Sequence, residues 1–191
     1  MTDRDPVLAF PFLGGRPCLD FVATLGRRHA DPVERLPDPA ALGRWIEEAG
    51  LAAETGPPQV TARDLTDARG LREAVHRLVR AAMDGREPDP ADVTRVNEAA
   101  ARPDLAPQLG PRPWTARQPA RAALATVARD AVLLVRGPLV ERVKKCESPD
   151  CSLLFLDDSQ ARRRRWCSMD RCGNHAKVAG YRSRGRAASN R

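Results

Sequence analysis

The chain lacks any apolar run near the roughly 20 residues that a helix needs to cross a bilayer. Its longest aliphatic stretch is Ala131-Val132-Leu133-Leu134-Val135. Residues Met1 to Pro6 lack the basic start and apolar core of a signal peptide, so a cytoplasmic location is expected, with no membrane partner and with thiols kept reduced. There is no His-Glu-x-x-His, no Gly-rich phosphate loop and no Gly-x-Ser-x-Gly string, and an enzyme is accordingly not expected. Internal repeats, coiled-coil heptads and a helix-turn-helix are also missing. Large apolar side chains are scarce in the last fifty-five residues, and a segment with so thin a core commonly needs a metal to fold.

Cysteine is sparse, five in 191 residues, but four of the five stand close together as Cys146-x4-Cys151 and, fifteen residues later, Cys167-x4-Cys172. Two short pairs separated by such a gap suit a tetrahedral thiolate site for one structural Zn2+: each pair closes a turn, and the gap lets the chain return. Two disulfides or a set of free thiols are the other readings, and disulfides are disfavoured without a secretion signal. Cys172-x2-His175 is also a legal ligand spacing, although four cysteines already suffice. Cys18 has no cysteine near it and reads as a small buried residue.

Charge follows the cysteines. From Arg136 to Arg191 there are fourteen Lys/Arg against six Asp/Glu, a net of +8, while Met1 to Val135 carries eighteen against nineteen, a net of −1. All of the excess behind the formal +7 therefore lies in the final segment. Such asymmetry points to a polyanion, most often nucleic acid, with a solvated basic tail as the plainer alternative.

The first 135 residues read as a mainly helical bundle. Between residues 19 and 25 the pattern suits either a short helix or a strand. Asp38-Pro39 opens a helix that Gly50 ends, with Leu42, Trp45, Ile46 and Ala49 on one face. Thr61 with Asp64 makes a capping-box pattern at the head of the longest helix, to about Met83. Its stripe is Leu65, Ala68, Leu71, Val75, Leu78 and Ala82, and Asp67, Arg69, Arg72, Glu73, Arg77 and Arg80 read as a solvated surface. His76 has no second ligand at helical spacing and reads as structural. Asp89-Pro90 starts a helix to about Arg102, and Gln118-Pro119 starts one that Gly137-Pro138 stops. Beyond it, residues 139–146 look extended, Ser148-Pro149-Asp150 makes the turn within the first cysteine pair, residues 152–156 return as a strand, and a helix begins at or just after Cys172 and runs through Tyr181. The fold class expected is mainly α with a small α+β zinc module, a helical N-terminal domain followed by a treble-clef-like or ribbon-like zinc finger.

The string Phe155-x-Asp157-x-Ser159, then Arg164-Arg165-Trp166-Cys167-Ser168-Met169-x-x-Cys172-Gly173-Asn174, then Lys177 and Tyr181-Arg182-x-Arg184 closely resembles the CGNR zinc finger. That family follows an N-terminal ABATE domain, whose Leu-Asp-Phe-Val-Asn-Thr-like segment is matched by Leu19-Asp20-Phe21-Val22-Ala23-Thr24. The resemblance implies residues 1–137 as an ABATE-like sensing domain, 138–186 as the zinc finger, and 187–191 as a disordered tail. It also implies a bacterial DNA-binding transcription regulator with a small-molecule effector. His175 stands where the signature has arginine, and is a cation only when protonated; Ala23 stands where the front segment has asparagine.

The residues expected to hold zinc are Cys146, Cys151, Cys167 and Cys172. Nucleic acid, DNA in the first instance, is expected to meet Arg162, Arg163, Arg164, Arg165, Arg171, Asn174, His175, Lys177, Arg182 and Arg184, because guanidinium groups satisfy phosphates and fork onto guanine. Trp166 either packs the small core or stacks on a base. The effector is expected near Asp20, Thr24 and Arg72, with internal capping of Asp20 as the alternative. A homodimer is expected because one small finger reads few bases. RNA and an acidic protein partner are the competing occupants of the basic surface.

Overall fold

The computed structural model describes residues 8–52, 57–105 and 118–174. Four helices make the frame: α2 (Pro39–Glu48), α3 (Ala62–Met83), α4 (Pro90–Ala100) and α5 (Pro119–Arg136). Their starts follow from local chemistry. Asp38 accepts from the Ala41 N–H at 2.7 Å and Asp89 from the Ala91 N–H at 2.8 Å, each just before a proline at the first helical position. The capping box of α3 is complete, with the Asp64 N–H on Thr61 Oγ1 and the Thr61 N–H on Asp64 Oδ2, both at 3.1 Å. Gly50, at φ +68°, ends α2 in the left-handed region that favours glycine.

α5 lies at the centre and packs on α4, α3, α2 and the short α1 (Pro17–Val22). Its inner face is largely alanine (Ala120, Ala123, Ala128, Ala131), with Leu124, Val127 and Leu134 filling the gaps. Small side chains let the neighbouring backbones approach. Trp45 and Phe21 are fully buried with ring centroids 4.9 Å apart, so the tryptophan belongs to the core as its spacing indicates. The ambiguous stretch after residue 17 is helical, and α1 is tied to α5 because Asp130 pairs with Arg16 and accepts from the Cys18 N–H at 3.0 Å. Cys18 itself is fully buried.

The charged side of α3 departs from expectation. Arg72 is only 3% exposed, and it forks onto Glu34 at 2.7 and 2.8 Å, meets Glu73 at 2.9 Å and donates to Thr24 Oγ1 at 3.2 Å. Arg28 closes the network on Glu73 at 2.6 Å. Arg72 and Glu73 are therefore not a solvated surface. They clamp the two-stranded ribbon β1 (Leu25–Gly26) and β2 (Val33–Glu34) onto the helix. Burial opposes the charge on Glu34, but the hydrogen bonds and charge of Arg72 outweigh it and hold that carboxyl below its usual range.

His76, on the same helix, is a structural histidine. Burial first, and the Arg28 cation second, hold its pKa down to about 4. The unfolded chain takes up that proton near pH 6.5, so this residue's contribution is lost as the pH falls from there toward 4. Asp20 works in the opposite sense: burial raises its carboxyl to about 6, so its contribution is full below about pH 4 and is lost as the pH rises through 6. Because the two slopes oppose, the informative quantity is a difference. His76→Gln is expected to gain about 2 kcal/mol on the wild type between pH 7 and pH 5 in paired urea melts. Parallel pH profiles for the two proteins would refute this.

After α5 comes a 3-10 turn over Pro138–Arg142, not the extended chain expected there, and only then β3 (Val143–Lys145). Proline at its start and the bond from the Asp157 N–H to Arg142 O at 2.8 Å bend this connection back against the bundle. β3 pairs antiparallel with β4 (Leu154–Leu156), Lys144 opposite Phe155. The hairpin sits on α1 and its approach, where the Leu156 N–H donates to Gly14 O at 2.8 Å. Gly14 has no room for a side chain, since a Cβ there would come within 2.7 Å of Leu19 Cβ. Val143 and Leu154 belong to the main core, while Ala23 and Leu13 pack among the cysteines. The boundary near residue 137 is thus a change in chain pattern, and the packing runs across it. Among the described residues no helix is long and apolar enough to cross a membrane.

Candidate metal centre

Two turns bring the cysteines together. β3 leads directly into Cys146, whose N–H donates to Leu153 O at 2.9 Å, and the Cys151 N–H closes the knuckle on Ser148 O at 3.0 Å. The second turn carries Cys167 and enters a single helical turn, Met169–Gly173, capped by Ser168. This turn starts at Met169, three residues earlier than expected, so Cys172 lies inside it and not at its head. The continuation through Tyr181 lies outside the described residues. The Glu147 N–H donates to Arg165 O at 3.0 Å, and the Cys167 N–H points at Cys146 Sγ at 3.5 Å, which ties the two knuckles together.

The four sulfurs all lie within 4.8 Å of one another, with Cys151–Cys167 at 3.9 Å and Cys167–Cys172 at 3.6 Å. Tetrahedral Zn–S bonds of about 2.3 Å place sulfurs about 3.8 Å apart. Cys146, Cys167 and Cys172 are buried, and Cys151 is the more open. The thiols of Cys151 and Cys167 donate to Cys146, which draws the Cys146 pKa well below the ordinary thiol range and pushes Cys151 up to about 12. Four soft donors in this geometry fit Zn2+. The four cysteines form the site of one structural zinc ion. When bound it supplies folding energy and, with four protein ligands, leaves no position for a water molecule.

Around the sulfurs the arginine run divides. Arg164 turns inward: its Nε donates to Trp166 O at 3.1 Å, Nη2 donates to Cys167 O, and the guanidinium lies 4.8 Å from the Phe155 ring centroid. Arg165 lies over the Trp166 ring at 5.0 Å and pairs with Glu147 at 2.6 Å. Trp166 is half-buried against the cysteine cluster, the packing role of the two considered for it. Arg162, Arg163, Arg171 and Asn174 are exposed. The side chains of Arg162, Arg163 and Arg171 have no carboxylate partner among the described residues. His175, Lys177, Arg182 and Arg184 lie outside the described residues, as does the tail 187–191.

The three residues expected to bind an effector do not converge as a group. Thr24 and Arg72 bond each other at 3.2 Å, whereas Asp20 accepts from the Gly14 N–H at 2.7 Å, the internal capping considered as its alternative.

Asp157 has a role that the string Phe155-x-Asp157-x-Ser159 did not disclose. Fully buried, it accepts from Lys144 Nζ at 2.6 Å, Ser159 Oγ at 2.5 Å and the Arg164 N–H at 3.0 Å. Lys144 Nζ also donates to Arg162 O at 2.6 Å. One carboxylate therefore holds both ends of the arginine loop. Burial resists its charge, but these donors prevail and keep its carboxyl far below the usual range.

Comparison with protein families agrees with this arrangement. A family model described as "putative stress-induced transcription regulator", the ABATE family, matches residues 15–138, and the CGNR zinc finger model matches residues 142–185. No curated protein matches the chain. With the helical frame covered by one model and the four-cysteine module by the other, the chain belongs to the ABATE family and carries a C-terminal CGNR zinc finger.

Proposed function

We propose that the chain is a cytoplasmic, bacterial, DNA-binding transcription regulator, not an enzyme, in which the zinc module docks on the duplex and the helical part responds to a small molecule. One observation carries the DNA reading: Arg162, Arg163 and Arg171 stand exposed, without carboxylate partners among the described residues, on a frame fixed by zinc, Asp157 and Arg164. Unpaired guanidinium groups on a rigid module lose little entropy on meeting phosphates, and Arg–phosphate pairs are charge-assisted. Arg164 and Arg165, engaged within the module, serve to build the surface. With Lys177, Arg182 and Arg184 completing the set, about six phosphates are neutralised. Since a single small module reads few bases, the proposed assembly on DNA is a homodimer.

The test is a salt titration of the zinc-loaded chain on duplex DNA, with structured RNA as competitor. A log–log slope near −5 is expected, so doubling the salt weakens binding about 30-fold, and the complex is expected to contain two chains per duplex. A slope near zero overturns phosphate docking. Displacement by RNA at equal concentration overturns the choice of DNA.

A further inference from the structure

We propose that Arg27, on the turn of the β1–β2 ribbon in the helical part, meets a phosphate of the same duplex on which the zinc module docks. This rests on the DNA reading above, and it carries the contact surface across the boundary near residue 137.

Backbone conformation singles the residue out. Among the described residues only two that are not glycine lie in the left-handed region, Arg27 at φ +51° and Arg162 at φ +49°. A Cβ makes that region unfavourable, and glycine occupies it without the cost. Both arginines stand in turns: the Ala30 N–H donates to Arg27 O at 3.0 Å, and the Arg162 N–H donates to Ser159 O at 3.1 Å. Arg162 belongs to the set already assigned to DNA. Arg27 repeats its features in the helical part. The residue is half-exposed, its Nε is buried without an acceptor, and its side chain makes no hydrogen bond or ion pair among the described residues. Its neighbour Arg28 is the opposite case, forked onto Glu73 at 2.6 and 3.2 Å. The strain at Arg27 is thus offset by nothing its side chain does inside the fold, and strain of that kind concentrates at functional sites.

Position supplies the partner. The ribbon turn rests on the zinc module: the Arg28 N–H donates to Ser152 Oγ at 3.1 Å, and His29 Nε2 lies 3.0 Å from Pro149 O, in the turn between the first two zinc ligands. Arg171 of the module lies within electrostatic reach of the same ribbon. A Cβ on Gly26, next to Arg27, would come within 2.5 Å of Arg35 Nη1. Burial first, and the Arg171 cation second, lower the pKa of that Arg35. Of the acids on the two turns, Glu147 is taken by Arg165, while Asp31 and Asp150 are exposed and pair with no cation among the described residues. An unpaired guanidinium on a turn pinned at two points is ready for a charge-assisted bond to phosphate and has little freedom to lose on forming it.

The test measures duplex binding of the full-length, zinc-loaded chain against salt for the wild type, Arg27→Gly, Arg27→Lys and Arg162→Gly. Each phosphate contact contributes about 0.9 to the log–log slope. Arg27→Gly is expected to make the slope shallower by about one and to weaken binding about eightfold at about 0.1 M salt, with zinc content unchanged. Its melting temperature is expected to stay or to rise by up to about 4 °C, because glycine relieves the left-handed residue. Arg27→Lys, which keeps the charge, is expected to keep the wild-type slope. The proposal alone is overturned if Arg162→Gly flattens the slope and Arg27→Gly does not, if Arg27→Lys behaves as the glycine variant does, or if Arg27→Gly melts below the wild type. A wild-type slope near zero overturns the DNA reading and this contact with it.

Discussion

Stripping the zinc, or replacing Cys167 by alanine, is expected to unfold more than the last fifty residues. Structural zinc contributes about 10–16 kcal/mol in small zinc peptides, comparable with the whole stability of an ordinary domain at about 5–15 kcal/mol. The cysteine cluster also contains Ala23 and packs on Leu13, and the hairpin that carries Cys146 places Val143 and Leu154 in the main core. Loss of the ion therefore removes support from α1 as well as from its own knuckles. Cys167 should be the most damaging single site. It is fully buried, its sulfur lies near both Cys151 and Cys172, and its N–H faces Cys146. Cys151→Ala should be milder, because that side chain is the more open and water can take its place on the ion. Zinc content by atomic absorption, a thermal melt and amide exchange across residues 17–22 provide the check. Protection of those amides unchanged in metal-free protein would show that the two parts are independent.

The second large effect is expected at Asp157. Asp157→Ala removes a fully buried carboxylate from Lys144, Ser159 and the Arg164 N–H. Breaking a buried pair in this way leaves the partner's charge uncompensated and costs about 3–5 kcal/mol. Asp157→Asn should cost less, since an amide still accepts from the backbone, although it faces Lys144 without charge. Because the folded pKa is depressed, the stabilisation is present above the unfolded value near 3.8 and is lost as the pH falls through the lower, folded one. Between pH 5 and 8 this residue should give no pH dependence. Urea melts at pH 7 measure the loss, and a change under 1 kcal/mol for the alanine variant would discard the assignment. The proposed binding to DNA should weaken in the same variant, because the loop that presents Arg162 and Arg163 loses its anchor. Supplying excess zinc should not restore it.

What could be read in the residues was whatever is settled within a few positions of itself. The caps at Asp38, Thr61 and Asp89, the apolar stripe from Leu65 to Leu78 and the spacing within each cysteine pair depend on neighbours one to five residues away, and the structure has them as the sequence indicates. The excess of basic charge in the final segment is likewise a property of composition. Tertiary structure decided what depends on distant partners. Arg72 reads as surface on its own helix because Glu34 and Thr24, which neutralise and receive it, lie 38 and 48 positions away. Arg164 reads as one more basic residue until Phe155 and the Cys167 carbonyl are found around it. Periodicity and capping are set by backbone geometry that every residue shares. The fate of a charge is set by the dielectric and the partners that folding brings to it, and neither is written next to it in the chain.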